Sequence, residues 1–229
     1  MLHLYIGVDR RQPIAGQVLA HSIYTRASKP VSITMLHYPV MPIKRRGLSD
    51  FTYARYCVPF LSGYKGRSIF MDADMLCLAD VHDLLGLADP LAAVSVVKNK
   101  MRFEWTSLMV FNNAACLRLT PEWIDHKDTA PQSLSWAGEV GELPSEWNHL
   151  VGYDAQRADA KLVHFTQGIP VFPEVEDCEY SEEWRLEHRA MNSTVSWKEI
   201  MGDSVHAQPV IRRLIDSGKM SLVQSTAQH

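Results

Sequence analysis

The stretch Arg67-Ser68-Ile69-Phe70-Met71-Asp72-Ala73-Asp74-Met75-Leu76-Cys77-Leu78 decides how this chain is to be read. Ile69-Phe70-Met71 has the character of a buried strand and runs straight into two carboxylates one residue apart, after which the chain is apolar again. Side chains at i and i+2 of an extended segment share a face, so Asp72 and Asp74 converge if the chain stays extended through Ala73. Two anions so close repel unless a cation lies between them. A divalent ion held by few protein oxygens keeps coordination positions open for phosphate oxygens. The pattern points to metal-assisted chemistry on a phosphorylated substrate. A turn carrying two solvated acids is the alternative. Context weighs against it, because this is the chain's only Asp-x-Asp and the carboxyl end of a central strand is where open α/β sheets place their ligands.

Working outward, the 229 residues suffice for one domain of fair size, alone or with a small appendage. Apolar residues make up 46% and charged residues 21%, with a formal net charge of −3. That balance excludes a dedicated nucleic-acid binder, which carries a basic surplus, and the run Lys44-Arg45-Arg46 is too short to reverse it. Cys57, Cys77, Cys116 and Cys178 form no C-x-x-C pair, so neither a disulfide framework nor a zinc site is expected. The first residues lack the positive start of a signal peptide, and no apolar run approaches the roughly 20 residues of a membrane helix. A cytoplasmic protein is expected.

The periodicity predicts strands over Leu2–Val8, Val31–Leu36, Arg67–Met71, Ala92–Val97, Ser107–Phe111 and Lys161–Phe165. It predicts a helix from Pro13, with Ile14, Val18, Leu19 and Ile23 on one face, and a helix capped by Ser49-Asp50 and ended by Gly63. A short helix follows Asp80, and two more are expected over Glu174–Met191 and Ser204–Ile215, with Ser221–His229 frayed. Residues 128 to 141 read as a long loop. Strands alternating with helices make the fold class α/β.

Three further segments join the acids: Phe51-Thr52-Tyr53-Ala54-Arg55-Tyr56-Cys57-Val58-Pro59, Ser107-Leu108-Met109-Val110-Phe111-Asn112-Asn113, and Lys161-Leu162-Val163-His164-Phe165-Thr166-Gln167-Gly168-Ile169-Pro170. Together with Phe70-Met71-Asp72-Ala73-Asp74-Met75-Leu76-Cys77-Leu78-Ala79-Asp80-Val81-His82-Asp83-Leu84 they resemble the metal-dependent glycosyltransferases of the GT-A fold, in particular the glycogenin and galactosyltransferase-like family 8. The resemblance covers residues 1 to 172 and is strongest from Arg55 to Leu85.

It implies a GT-A domain over residues 1–172, with a mostly parallel mixed sheet flanked by helices, and a C-terminal helical extension over 173–229 packed on it. It implies that Asp72, Asp74 and His164 bind Mn²⁺ or Mg²⁺, and that a nucleotide diphospho-sugar, in the first instance a UDP-sugar, is the donor. Gly7, Asp9 and Gln12 would hold its nucleoside part, with Ala73 lining the site between the acids. Arg55 would reach the donor sugar or steady the second aspartate, and Asn112 would bond sugar hydroxyls. Each has a plainer reading: His164 as a core histidine, Arg55 as a surface ion-pair partner, Asn112 as a turn residue, Asp9 as a helix cap.

Two departures stand out. The family's lysine after the histidine is missing from Gly168-Ile169-Pro170-Val171, which leaves Lys161, Arg67 or Lys98 for the donor phosphate. The family's acid–glutamine pair has no clean match, with Glu142, Glu139 and Gln132 the nearest candidates. The implied reaction is sugar transfer to an acceptor hydroxyl with retention. Since no residue identifies itself as a nucleophile, a front-face course is favoured, which needs positioning and charge stabilisation only. The rival readings are a haloacid-dehalogenase-like phosphohydrolase, a sugar-nucleotide pyrophosphorylase and a catalytically silent sugar-nucleotide-binding protein. The acceptor stays open among glycan, lipid-linked sugar, protein and modified nucleic acid, and a homodimer is open as an assembly. Trp105, Trp136, Trp147 and Trp184 are candidates for sugar stacking.

Overall fold

In the computed structural model, which describes residues 1–220, the acid strand lies in the middle of a six-stranded sheet. Strands β1 (Leu2–Val8), β2 (Val31–His37), β3 (Arg67–Asp72), β5 (Val94–Val96), β6 (Leu108–Asn112) and β7 (Val140–Glu142) are ordered β2-β1-β3-β6-β5-β7. β2, β1 and β3 run parallel, β6 opposes β3 and β5, and β7 is parallel to β5. Five strands therefore point one way and β6 the other. A second sheet, β4-β9-β8, joins β4 (Met75–Cys77) and β9 (Leu162–His164) antiparallel and β9 and β8 (His149–Leu150) parallel.

Alternation along the strands builds a core on both faces of the main sheet. Leu4, Ile6, Ile69, Met71, Leu108 and Val110 face one way, onto Val18, Leu19 and Ile23 of helix α1 (Pro13–Arg26). Tyr5, Phe70, Met109 and Phe111 face the other, onto Phe51, Tyr56 and Trp136. Helix α1 begins where Pro13 supplies a preset φ and lacks only an amide that would be unpaired anyway.

The predicted helix after Ser49-Asp50 is instead a turn, a 3₁₀ segment over Ala54–Cys57 and a four-residue helix α2 (Val58–Leu61). Pro59 has no amide to donate, so a continuous ladder cannot run through it. Helices α3 (Asp83–Leu87) and α4 (Pro121–Asp125) are short, the latter capped by Thr120. The expected long loop contains two 3₁₀ turns and leads into β7. Helix α5 (Ser181–Met191) is shorter than predicted, because Tyr180 takes φ 60° and starts it late. It is fastened to α1 by Glu187, a buried carboxylate shared by His21 and Arg26. Trp147 and Trp184 are wholly buried and Trp136 nearly so, which makes them core and not stacking surfaces.

The chain divides into two compact units, Met1–Met191 and Asn192 onward. The second contains α6 (Trp197–Met201), opened by a reciprocal capping box of Ser196 and Glu199, and α7 (Ala207–Asp216). The predicted fraying of Ser221–His229 lies outside the described residues. Among those described, no helix is long and apolar enough to cross a membrane.

Candidate active site

At the carboxyl end of β3 the chain does not stay extended. Asp72 is the last strand residue, Ala73 and Asp74 form a turn, and Met75 begins β4 in the other sheet. The Asp72 amide donates to the Ser107 carbonyl (2.9 Å) and the Ala73 amide to the Gly7 carbonyl (3.2 Å), which fixes the turn. The acids thus converge through a bend and not through strand periodicity. β4 then carries the chain alongside β9, where Met75 is paired with His164 and the Phe165 amide donates to the Asp74 carbonyl. This pairing delivers the imidazole, some ninety residues away in sequence, to the acids.

Asp72, Asp74 and His164 each offer a ligand atom, all within 4.8 Å of one another. His164 Nε2 lies 3.4 Å from Asp74 Oδ1, and that oxygen is buried without a hydrogen-bond partner. Atoms so placed face a shared centre more than they face each other, and two carboxylates with one imidazole suit Mn²⁺ or Mg²⁺. Charge agrees. With the acids ionised and the imidazole neutral, as a bound cation would hold them, Asp72, Asp74 and Glu104 against Arg55 carry two negative charges in a cleft of about 440 Å³, which matches a divalent ion.

Two of these three side chains are held from behind. Arg55 is buried; its Nη1 donates to the Thr106 carbonyl (2.6 Å) and hydroxyl (3.0 Å), and its Nη2 donates to Asp72 Oδ2 (3.2 Å). It therefore steadies the first aspartate, where the resemblance implied the donor sugar or the second aspartate. His164 Nδ1 meets Asn148 Oδ1 at 3.2 Å, while Asn148 Nδ2 donates to Ser107 Oγ (2.9 Å). The Ser107 hydroxyl itself donates to the Glu104 carbonyl (2.6 Å). That chain orients the Asn148 oxygen toward His164, which favours the proton on Nδ1, so that the neutral imidazole would present its Nε2 lone pair to the acids.

Burial pushes the Asp72 carboxyl up to about 7, with Arg55 pulling it down and Asp74 adding to the rise. Burial works to lower the His164 imidazole, yet Asp74, Glu104 and Asp72 override it and leave it raised. Burial also raises Glu104, against the pull of His164. Glu104 Oε2 lies 3.8 Å from His164 Nδ1. Sequence reading missed this acid, since it sits in a 3₁₀ turn (Arg102–Thr106) with no period to mark it.

The remaining predicted residues are distributed unevenly. Asn112 is not at the site. β6 opposes β3, so Asn112 pairs with Arg67 at the start of the acid strand, five steps of about 3.3 Å from Asp72. Arg67 is excluded as a phosphate contact for the same reason, and its guanidinium donates to the Leu85 carbonyl (3.0 Å). Glu142 stands exposed on the edge strand, three strands from β3, about 14 Å away at ordinary spacing. Of the three acid–glutamine candidates only Gln132 lines the cleft. Lys161 lies by Glu146 (3.9 Å) and over the Trp147 ring, not by the acids.

Gly7 is buried against the loop carrying Arg55, and a Cβ there would meet Phe51 Cβ at 2.6 Å. That close approach is what requires a glycine at this position. The Asp9 carboxylate is buried and engaged by Arg11 (2.6 and 2.8 Å) and by the amides of Arg11 and Asp50; the Arg11 side chain, outweighing burial, holds it at about 2. It ties the β1 end to the Arg55 loop, and it borders a mostly apolar cleft of about 450 Å³ with Val8, Pro13, Gln17, Met35 and His37. Gln12 keeps its Oε1 buried and unpartnered.

No protein-family model matches the chain. Among solved structures, the bifunctional glycosyltransferase WbbM superposes with TM-score 0.61 at 18% identity over 87% of this chain and 51% of its own, so this chain spans about half of that protein. The galactosyltransferase LgtC, in complex with donor and acceptor sugar analogs, gives 0.60 at 11% identity over 86% of this chain and 99% of its own. GlyE of Streptococcus pneumoniae gives 0.60 at 13%, over 89% and 63% respectively. The fold is that of the GT-A glycosyltransferases. In sequence, Protein CDI of Arabidopsis thaliana is 30% identical over 228 residues, covering 82% of this chain and 86% of its own. An identity of that level along most of both chains, with the acid turn set in a GT-A sheet, places this protein in the family of Protein CDI.

Proposed function

We propose that this protein is a glycosyltransferase that moves a sugar from a nucleotide diphospho-sugar, a UDP-sugar in the first instance, to an acceptor hydroxyl. Asp72, Asp74 and His164 would hold Mn²⁺ or Mg²⁺. The observation that carries the reading is the meeting of a carboxylate pair from the β3–β4 turn with an imidazole from β9, with an orphaned carboxylate oxygen between them. The ion, when bound, neutralises the diphosphate and stabilises it as a leaving group.

The chain's own residues do the positioning. Arg55 and Asn148 hold Asp72 and His164 in ligand geometry, and the mostly apolar cleft beside β1, bordered by Val8, Asp9, Pro13 and Met35, suits a nucleoside. The acceptor oxygen bonds to the anomeric carbon as the bond from that carbon to the phosphate oxygen breaks. The electron pair goes to the departing diphosphate, which takes up the acceptor's proton. No second-face nucleophile is needed, in keeping with retention by a front-face course.

A phosphohydrolase would use the first acid as nucleophile. Here Asp72 is buried and bridged by Arg55, which speaks against that rival. The test is calorimetry with UDP in the presence and absence of Mn²⁺, on the wild type and on Asp72→Ala and Asp74→Ala. Binding that requires Mn²⁺ and disappears in both variants is expected. Metal-independent binding, or release of inorganic phosphate from phosphate esters in place of UDP from UDP-sugars, overturns the reading.

A further inference from the structure

We propose that the polar cleft behind Asn148 receives the acceptor, and that the acceptor is a saccharide bearing an anionic group, a carboxylate or a phosphate. This rests on the glycosyltransferase reading and names the substrate class that reading leaves open.

The first reason is place. The cleft, of about 490 Å³, is lined by Lys98, Asn99, Lys100, Asn148, His149 and Tyr153, among others. Asn148 forms its wall and bonds His164, which lines the acid cleft, so one hydrogen-bonded layer separates the two spaces. The segment 98–106 walls both, with Lys98, Asn99 and Lys100 on one side and Phe103, Glu104 and Thr106 on the other. A sugar seated there borders the acid cleft along this shared segment, over which its hydroxyl would approach the donor. The nucleoside cleft lies on the opposite side, beyond β1.

The second reason is unmet hydrogen-bonding capacity. His149 is wholly buried; its Nε2 is tied to Glu179 Oε2 (2.9 Å), while Nδ1 has no hydrogen-bond partner and Asp154 Oδ2 stands off at 3.9 Å. Both side-chain atoms of Asn99 are likewise buried without partners. Buried polar groups are ordinarily satisfied. A ligand rich in hydroxyls, each both donor and acceptor, satisfies an amide and an imidazole together. Tyr153 is 49% exposed and offers its ring as a flat platform for a pyranose face.

The third reason is charge. The acids of this cleft are engaged within the protein, Asp159 by Arg157 (2.7 Å) and Asp154 by the Leu150 amide (2.9 Å). Among the described residues, Lys98 and Lys100 form no ion pair with either. Two exposed ammonium groups beside uncommitted amide and imidazole atoms select a sugar carrying negative charge over a neutral one.

The test uses the full chain loaded with Mn²⁺ and UDP, titrated with p-nitrophenyl β-D-glucuronide, glucose 6-phosphate and p-nitrophenyl β-D-glucoside and read by saturation-transfer NMR. At least one anionic probe should bind about tenfold more tightly than the neutral glucoside, and which one does distinguishes carboxylate from phosphate. The variant Lys100→Ala should weaken that preference at least threefold while binding Mn²⁺·UDP as the wild type does. Equal binding of all three probes, or binding of none, overturns the proposal. So does a Lys100→Ala variant that loses UDP instead, since that lysine would then serve the donor phosphate. If Mn²⁺·UDP fails to bind the wild type, the glycosyltransferase reading fails, and the same titration on unloaded protein still reports on the cleft.

Discussion

At the scale of single residues, the site depends on a few atoms held without freedom. Asp74 Oδ1 is buried with no hydrogen-bond partner, so Asp74→Asn, similar in shape and without charge, should lower Mn²⁺ affinity more than about 100-fold while leaving the melting temperature in metal-free buffer unchanged or higher. Asn148 touches neither metal nor donor in this scheme and acts through His164. Asn148→Ala should weaken Mn²⁺ binding about 10- to 100-fold. Asn148→Asp, which keeps an oxygen for Nδ1–H, should recover most of that loss in the same calorimetric titration. A purely structural role would show equal loss in both. The two aspartates were legible from spacing alone, whereas Glu104 and Asn148 were not recognisable as His164's neighbours, because neither lies in a periodic segment.

At the scale of elements, β4 is the decisive piece. It is three residues long, yet it redirects the chain from the main sheet to β9 and so joins acid turn to imidazole. Helix α5 is clasped to α1 through Glu187, whose carboxylate meets Arg26 at 2.8 Å and His21 on its other oxygen. Removing one member of a buried charged cluster leaves the others unpaired, but both partners here are partly exposed. Glu187→Ala should therefore cost about 2–3 kcal/mol, measured by urea unfolding, with metal binding intact. Gly7 marks another element contact. Gly7→Val would drive a side chain into Phe51 and Phe70, displacing the Arg55 loop; a loss of about 1–3 kcal/mol is expected, together with weakened metal binding. The central strands were readable as short, nearly continuous apolar runs because both sheet faces are buried. Asn112 was misassigned because strand direction is not written in a strand's own residues: β6 looks like its parallel neighbours but runs against them.

At the scale of the whole molecule, the proposed metal would compete with a proton for one site. The Asp72 carboxyl, pushed up to about 7 from an ordinary 3.8, favours the protonated form when folded. Its contribution to stability is present below the unfolded value and lost as the pH rises through about 7. The metal-free protein should thus lose stability from this group between pH 4 and pH 7, and Mn²⁺ should protect most above pH 7, where it faces the ionised carboxylate. Calorimetric melts at pH 5 and pH 8 with and without Mn²⁺ check the sign. Saturation with Mn²⁺ and UDP at about 100 times the dissociation constant should add about 2.7 kcal/mol, or about 5–10 °C for a chain of this size. By itself the sequence determined the α/β class and offered the acid pair as a cation-binding candidate, since each is a matter of residue type at short spacing, whereas His164 entered only through the resemblance of the stretch Lys161 to Pro170. Only the tertiary structure decided which of the candidates meet. It turned Asn112, Arg67 and Glu142 away, enclosed Gly7 and Asp9 in packing and ion pairs, and brought Glu104 and Asn148 in. The physical reason is that strand direction and sheet order, set by which apolar faces bury together along the whole chain, place side chains that local spacing cannot.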